Sequence, residues 1–299
     1  MASLRLFASL VLIGVLAFPV FAGNANTGTV GGTFLKLGSG VRAPAMGEAF
    51  TAVVDDATAI FWNPAGITQL NSKELSMTHN VWLIDTSYST MHYVQPLLPG
   101  HTLGASIFYL SYGNMMETTA VSREGTGRVF SPSAAVATVS YALKILENLS
   151  LGTNLKFINQ SIDRYGENGN ALDMGLLLSD FKGMNMGLVV QNIGSMSGTT
   201  LPQNLKLGIS KRFLDQKLLA AFDVGLPIDS SVFLSLGGEY QLNDFLVVRA
   251  GGSTKAEEGS GGNFGIGLGL NLSRFAVDYA YVTYGDLGIA HRVGLRLQF

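Results

Sequence analysis

Alternating apolar and polar residues are the dominant pattern of the chain from residue 73 to its end. In one clear case Phe264, Ile266 and Leu268 share one face of a segment whose opposite face carries glycines. A period of two residues predicts β-strands with one apolar face. Strands of about ten residues, the length that a tilted membrane-spanning strand needs, are predicted near 73–82, 86–96, 101–112, 132–146, 149–160, 170–180, 184–193, 203–213, 217–226, 230–241, 244–253, 262–272, 275–283 and 291–299. They number about fourteen, and an even number is typical of bacterial outer-membrane barrels.

The connections between these strands alternate between short and long, which favours a membrane barrel over a soluble β-sandwich. The short connections are 147–148, 181–183, 214–216, 242–243 and 273–274, and the longer ones are 113–131, 161–169, 194–202, 254–261 and 284–290. We expect the short turns to face the periplasm and the long loops to face the cell exterior. A β-sandwich would also alternate, but its solvent-facing side would carry far more charge than these strands do.

The composition also favours a membrane barrel. Charged residues make up 13% of the chain, about half of the usual share of roughly 25%. The net charge of -2 offers no basic field for nucleic acid. The lack of cysteine excludes disulfides, thiolate catalysis and cysteine-ligated metals. A one-residue slip of the last strand would place Arg292 and Arg296 in lipid at about 2–4 kcal/mol each near the midplane, so the register is well specified.

The first 22 residues predict a secretory signal peptide. Arg5 precedes an apolar run over 6–21, and small residues stand at the positions that cleavage after Ala22 requires. A transmembrane anchor is the alternative, although one basic residue is a weak anchor flank. Beyond residue 22 no apolar run reaches the length of about eighteen residues that a spanning helix needs, so a membrane location requires a closed β-barrel. The predicted division is a signal peptide 1–22, an N-terminal segment 23–72 and a transmembrane barrel 73–299.

Within the predicted mature chain, the stretch 38–66 has the clearest helical period. Apolar residues recur there at the i, i+4 and i+7 spacing of one helix face, namely Met46, Phe50 and Val53. Asp56 is placed to cap a second short helix over 57–60. The run 63–66, Asn-Pro-Ala-Gly, predicts a turn in which Gly66 takes a positive φ. We expect these short helices to lie in or under the bore of the barrel.

Candidate catalytic residues do not form a recognisable site. The histidines are scattered without metal-ligand spacing, at His79, His92, His101 and His291. Asp55 and Asp56 could form a carboxylate pair for acid–base chemistry, but helix capping is the favoured interpretation. The glycines 265, 267 and 269 resemble a phosphate-binding loop but lack its strand–turn–helix context. We therefore predict a protein that is not an enzyme and has no cofactor and no metal.

Charged residues within the predicted strands fall mostly opposite the apolar face, hence toward the lumen. The seven that stand out are Lys156, Asp173, Glu239, Arg249, Asp278, Arg292 and Arg296. Buried charges need partners, so an ion-paired interior that holds the N-terminal segment is the favoured interpretation. A lining that selects solutes is the alternative. Small lumen-facing residues leave room for the segment and favour a filled bore over an open channel.

Two groups of residues resemble the PorV/PorQ family, which belongs to the FadL-like outer-membrane barrels. The N-terminal group comprises 37–43 (Leu-Gly-Ser-Gly-Val-Arg-Ala), 46–47, 49–53, 55–57 and 62–66, and the C-terminal group comprises 277–281, 285–288, 291–292 and the terminal Phe299. The likeness covers essentially the whole predicted mature chain. Glu48 departs from it, because the family usually has a second glycine at that place.

The resemblance implies a barrel of fourteen strands whose N-terminal segment folds into the lumen as a hatch. The hatch motif in this sequence is Met46, Gly47, Phe50, Asp55, Asp56, Trp62, Asn63, Pro64, Ala65 and Gly66. FadL-like relatives pass hydrophobic molecules. We therefore expect a protein of the bacterial outer membrane that binds or conducts hydrophobic cargo, with hatch movement around Gly47, Pro64 and Gly66 opening a path.

The alternative expectation is a secretion-associated interaction protein. Within the resembled family, PorV collects secreted proteins for the type IX secretion system and PorQ works beside a surface attachment complex. Loops 113–131 and 254–261 would then dock secreted proteins or type IX components. Either role implies contact with outer-membrane lipid and, through the C-terminal strand, with the barrel-assembly machinery.

Overall fold

The computed structural model describes Leu4, Phe7, Ser9 and residues 27–255 and 263–299. The predicted signal peptide, those three residues apart, and most of the predicted loop 254–261 lie outside the described residues. Within the described part, no helix is long and apolar enough to cross a membrane. The division of the chain at residues 22 and 72 stays a prediction.

Fourteen antiparallel strands of the described chain close into a β-barrel. They are β1 (Glu74–Val81), β2 (Ser87–Leu98), β3 (His101–Ser111), β4 (Ser133–Leu146), β5 (Leu149–Ile162), β6 (Tyr165–Phe181), β7 (Met184–Met196), β8 (Asn204–Phe213), β9 (Leu218–Pro227), β10 (Phe233–Gln241), β11 (Leu246–Ser253), β12 (Asn263–Leu272), β13 (Phe275–Thr283) and β14 (Ile289–Gln298). Each strand pairs with its neighbours in sequence, and β1 pairs with β14 to close the barrel. The predicted all-β barrel and its strand number are confirmed.

The two faces of the strands differ in polarity as the alternation predicts. Phe264, Leu268 and Val293 point outward and are 52%, 51% and 53% exposed. Arg292, the neighbour of Val293, points inward and is fully buried. The outward faces thus form an apolar belt of the kind that is typical of membrane barrels, while charged side chains are kept inside.

The predicted long loop 161–169 is wrong, and the loop 194–202 is wrong in part, because β7 continues to Met196 and Thr199–Thr200 pairs back with it. Residues 161–169 were expected to form a long connection, but β5 and β6 stay paired up to Ile162 and Tyr165, and only Asp163 and Arg164 form the turn. Residues 165–169 lack apolar alternation, which hides the strand in the sequence. Amide groups on the extended hairpin bond to each other across the strands, as in the 3.0 Å contact of Asn159 with Asn168. Polar side chains therefore replace apolar ones on the outward, exposed face of this part of the strand.

Residues 27–72, which we name the inner segment, are built from four short helical turns. These are a 3₁₀ turn at Thr33–Lys36, α1 at Arg42–Ala45, α2 at Ala59–Trp62 and a 3₁₀ helix at Pro64–Gln69. The longer helix that the spacing of Met46, Phe50 and Val53 suggested does not form. Helix α1 instead ends at Ala45, because Gly47 and Glu48 have φ values of 63° and 65°, outside the helical region.

The predicted turn at 63–66 is instead the start of the 3₁₀ helix. The side chain of Asn63 accepts a hydrogen bond from the Ala65 N–H at 3.2 Å and caps this helix. Gly66 does not take the positive φ that we expected. It is a glycine because a Cβ there would collide with Val54. Close packing, and not backbone conformation, sets the residue type at this position.

Candidate functional site

Glycines of the barrel wall are the main contact surface of the inner segment. At ten inward-facing positions, a Cβ would approach an atom of the inner segment to less than 3.0 Å. These positions, which we name the glycine ring, are Gly104, Gly152, Gly175, Gly187, Gly208, Gly237, Gly251, Gly265, Gly267 and Gly294. They belong to nine strands and contact residues within 41–65 of the inner segment. The backbone of the inner segment therefore lies almost directly against the backbone of the wall.

Gly47 of the hatch motif and its neighbour Glu48 both have a positive φ. A Cβ on Gly47 would strike the backbone of Gly252, so its missing side chain permits both a positive φ and a close approach. Glu48 also has a positive φ, which glycine adopts without strain. Its carboxylate accepts a hydrogen bond from Lys255 at 3.0 Å. Burial alone would raise the pKa of Glu48, but the positive charges of Lys255 and Lys206 outweigh it and hold that pKa below its usual value.

Arg42 connects the inner segment to the barrel wall. Its guanidinium donates to both carboxylate oxygens of Glu239, at 2.6 and 2.9 Å, and to Asp55 and Asp56 at 2.5 and 3.0 Å. Arg296 Nη1 lies 3.9 Å from the same Oδ2 atom of Asp56. Burial alone would raise the pKa of Asp56, but the attraction of Arg42 and Arg296 keeps it below its usual value. Asp55 and Asp56 are thus carboxylates held by arginines, which is the arrangement of a structural clamp.

The charged strand residues singled out from the sequence all lie on the inner face of the barrel. Lys156 and Asp173 form an ion pair of 2.7 Å. Arg249 bridges Glu239 and Asp278 at 2.7 and 2.6 Å. With the contacts of Arg42, the two pairs of Arg249 make a continuous chain of alternating charges from the inner segment through β10 and β11 to β13.

Arg292 is held differently from the other buried charges. Its Nη1 donates to the carbonyl oxygen of Gly38 at 2.7 Å, and its Nη2 donates to the hydroxyl of Tyr284 at 2.9 Å. The guanidinium carbon lies 5.6 Å from the ring centres of both Trp82 and Tyr88, a distance at which cation–π attraction operates. Two aromatic rings thus hold Arg292, and its bond to the carbonyl oxygen of Gly38 anchors the inner segment to β14.

The remaining residues of the hatch motif fix residues 46–66 of the inner segment. Asn63 donates from Nδ2 to the carbonyl oxygens of Thr51 and Leu176, each at 3.0 Å. One side chain therefore joins two parts of the segment and strand β6. Trp62 donates from its ring nitrogen to the carbonyl oxygen of Ser39 at 3.0 Å. The other members are buried in the same region, at Met46, Phe50, Pro64, Ala65 and Gly66.

Comparison with known sequences identifies the family. The family model of an uncharacterised protein family, UPF0164, matches residues 24–195, which is more than half of the chain. The chain belongs to this family. No curated protein matches the chain.

Solved structures with a similar fold include two toluene transporters and a FadL homologue. The toluene transporter TodX of Pseudomonas putida has a TM-score of 0.64 at 12% identity and covers 87% of this chain and 97% of its own. The toluene transporter TbuX of Ralstonia pickettii has a TM-score of 0.64 at 15% identity, with coverage of 88% and 98%. A FadL homologue of Pseudomonas aeruginosa has a TM-score of 0.55 at 13% identity, with coverage of 87% and 98%. The chain of this UPF0164 member thus has the FadL-like barrel fold, while membership of the PorV/PorQ family stays a prediction.

Two small cavities lie beside residues 33–39 of the inner segment. The first, which we name the apolar cavity, has a volume of about 30 Å³ and lies against strands β2 to β5. Its walls are mainly the side chains of Phe34, Leu35, Leu37, Ile60, Phe61, Phe108 and Val136. Among its polar residues, Ser39 Oγ lies 2.6 Å from His92 Nε2 and 3.2 Å from Thr90 Oγ1. These contacts tie the segment to β2.

The second cavity, which we name the polar cavity, lies on the other side of the same residues. It has a volume of about 40 Å³ and is lined by side chains that include Glu48, Trp62, Asn204, Lys206 and Asp229. Leu35 and Phe61 line both cavities and separate them. Since a single water needs about 10–15 Å³, each cavity has room for only a few water molecules.

Sequence reasoning did not find two residues that hold this site. Arg42 and Ser39 were not among the predicted site residues. One signal for Arg42 was available, since it is the single charged residue between Lys36 and Glu48. The partners of Arg42 and Ser39 come from distant strands, so the sequence offers no spacing from which to infer them.

Proposed function

We propose that this protein is an outer-membrane barrel that binds or conducts hydrophobic small molecules and is not an enzyme. The apolar cavity carries the proposal, because it is an apolar space inside a barrel whose outside is also apolar. Pockets for small molecules are typically apolar with few polar groups. The shared fold with proteins described as toluene transporters supports the same function.

The apolar cavity must enlarge before it can hold cargo. Its volume of about 30 Å³ is well below the roughly 150 Å³ of a protein cavity that binds benzene. We place the movement in residues 33–39, between Gly32 and Gly40, whose φ values are 62° and 77°. This movement requires the contacts of Gly38 with Arg292 and of Ser39 with His92 to open. The part from 41 to 65 is fixed by the glycine ring. The expected pivots Gly47, Pro64 and Gly66 are in tight contact with Gly252, Gly152 and Val54. The hatch in this proposal is therefore residues 33–39 alone, which we name the upper part of the inner segment.

Native mass spectrometry of the protein, purified gently from its own outer membrane, tests this function. We expect an apolar small molecule to co-purify, or added naphthalene to bind to the empty barrel. A barrel that carries no small molecule and binds no naphthalene would contradict the proposal.

A second candidate function is docking of secreted proteins, and one surface favours it. The long loop between β3 and β4 carries a hairpin in which Met115–Met116 pairs with Val129–Phe130. Its apolar side chains are exposed, with Met116 at 55% and Val121 at 95%. The resemblance to the PorV/PorQ family supports this role too. Removal of residues 115–130 should then abolish capture of secreted proteins in a pull-down from native membranes, and capture at the wild-type level would argue against docking by this hairpin.

A further inference from the structure

Two buried oxygen atoms in the polar cavity lack hydrogen-bond partners. Among the described residues, neither Asn204 Oδ1 nor Asp229 Oδ1 has a donor within reach. Asp229 is only 3% exposed, and its other carboxylate oxygen is bound to Lys36 at 2.5 Å. An unpaired buried acceptor costs about 1–3 kcal/mol, so a molecule that donates hydrogen bonds here would relieve a real penalty.

A buried cation lines the same cavity. The Nζ atom of Lys206 lies 4.7 Å from the ring centre of Trp62 and 5.7 Å from that of Phe233. The nearby carboxylate of Glu48 is bound to Lys255 at 3.0 Å. The cavity therefore offers a hydrogen-bond donor on Lys206, acceptors on Asn204 and Asp229, and aromatic walls.

The donor and the unpaired acceptors of the polar cavity favour some classes of cargo over others. A pure hydrocarbon would cover the polar groups and leave the acceptors unpaired. A carboxylate could pair with Lys206, but it donates no hydrogen bond and would leave the acceptor oxygens of Asn204 and Asp229 unpaired. A hydroxyl group both donates and accepts hydrogen bonds, so it can satisfy Lys206 and one of the free acceptors together.

The apolar cavity supplies the place for the rest of such a molecule. Among the described residues, Leu35 and Phe61 alone are shared by the walls of both cavities, and Leu35 belongs to the part of the inner segment that we propose to move. We infer that, when these two side chains move apart, the two cavities become one binding site for an apolar molecule that carries a neutral hydroxyl group. This inference rests on the proposed function and narrows its cargo from hydrocarbons in general to hydroxylated ones.

Three small molecules of nearly equal size test this inference: methylcyclohexane, cyclohexylmethanol and cyclohexanecarboxylate. They absorb little light where tryptophan does, and Trp62 lines the polar cavity, so its fluorescence reports binding. The chain has only two tryptophans, and Trp82→Phe leaves Trp62 as the single reporter. In the purified full-length protein we expect the alcohol to bind about tenfold more tightly than the hydrocarbon, as one or two net hydrogen bonds imply, and more tightly than the carboxylate.

Two variants assign the preference to the polar cavity. Lys206→Met and Asn204→Leu should each remove most of the tenfold advantage of the alcohol and leave hydrocarbon binding largely unchanged. Lys211→Met is the matched control for Lys206, because Lys211 lies on the same strand and is exposed on the outside. It should bind all three molecules like the parent protein.

The outcomes separate the inference from the function on which it rests. If the hydrocarbon binds as tightly as the alcohol, trapped water already satisfies the acceptors, and the inference is overturned while the proposed function stands. If the carboxylate binds most tightly, the site is an anion site and the inference is again overturned. If none of the three binds to the parent protein, the proposed function fails together with the inference.

Discussion

Gly251 and Gly252 offer a direct test of how the inner segment is held. They are neighbours on β11 and face opposite sides of the wall. A Cβ on Gly251 would lie 2.6 Å from the backbone nitrogen of Gly47 and closer still to the carbonyl group of Met46. A Cβ on Gly252 would come no nearer than 3.5 Å to its closest neighbour, the carbonyl oxygen of Asn263. Gly251→Ala therefore adds a methyl group where the inner segment already fills the space, whereas Gly252→Ala adds the same group where the space is open.

The size of the effect follows from these distances. Ordinary contacts of a Cβ begin near 3.4 Å, so in Gly251→Ala the inner segment must shift by about 0.8 Å or more. The obstructing atoms are backbone atoms, which cannot rotate away as a side chain would. Overpacking of this kind costs about 1–3 kcal/mol, whereas an outward surface change such as Gly252→Ala usually stays within about 0.5 kcal/mol.

Urea unfolding in detergent micelles, followed by tryptophan fluorescence, measures this difference. Limited trypsin digestion measures release of the inner segment, because it has cleavage sites after Lys36 and Arg42. We expect Gly251→Ala to lower the free energy of unfolding by about 1–3 kcal/mol and to speed cleavage at both sites. Equal stability and equal protection of the two variants would refute the contact between the inner segment and the glycine ring.

Arg42, Asn63 and Asp56 give three further predictions. Arg42→Met should lower the free energy of unfolding by about 3–5 kcal/mol, because it leaves Glu239 and Asp56 buried without their main partner. The side chain of Arg212 is half-exposed, so the control Arg212→Met should cost at most about 1 kcal/mol. Similar losses in the urea titrations of the two variants would speak against the clamp. Asn63→Ala should cost about 1–3 kcal/mol for each carbonyl left unpaired, and trypsin protection at the wild-type level would count against this role. Because the folded state lowers the pKa of Asp56, its stabilisation is complete above the unfolded pKa of about 3.9 and is lost as the pH falls through the lower folded pKa. Urea titrations followed by tryptophan fluorescence measure this loss, and an unfolding free energy that does not fall below pH of about 4 would contradict it.

The barrel could be predicted from the sequence because its signal is local and repeated. Every strand that faces lipid on one side must alternate, so segments such as 262–272 reveal both the strand and its register. The signal fails where that constraint ends, as in 165–169, where β6 continues as a polar hairpin beyond the apolar belt. The conformation of the inner segment was also hard to predict. It is surrounded by the wall, so nearly all of its residues are buried and their pattern no longer reports a helix.

The candidate site could be predicted only in part, for a related reason. The inward charges Glu239 and Arg249 were visible, since alternation assigns them to the lumen. Their link to Arg42 spans almost two hundred residues, and no spacing in the sequence records it. The role of Gly66 was misjudged because sequence reasoning treats glycine as a backbone signal, whereas here it permits close packing.

Uptake of radiolabelled naphthalene by cells tests the central claim, that movement of the upper inner segment opens a path for apolar molecules. The native chain has no cysteine, so paired cysteines can lock one contact at a time. Ser39→Cys with Thr90→Cys, whose oxygens lie 3.2 Å apart, locks the upper part to β2. Thr68→Cys with Ser150→Cys, at 2.7 Å, locks the part that we expect to stay in place.

The gene should be deleted and then restored with each of these double variants. We predict that deletion lowers uptake, that the oxidised upper lock lowers it to the same level, and that reduction restores it. The lower lock should have no effect in either redox state. Uptake that is unchanged by deletion, or equal in the oxidised and reduced upper lock, would contradict the central claim.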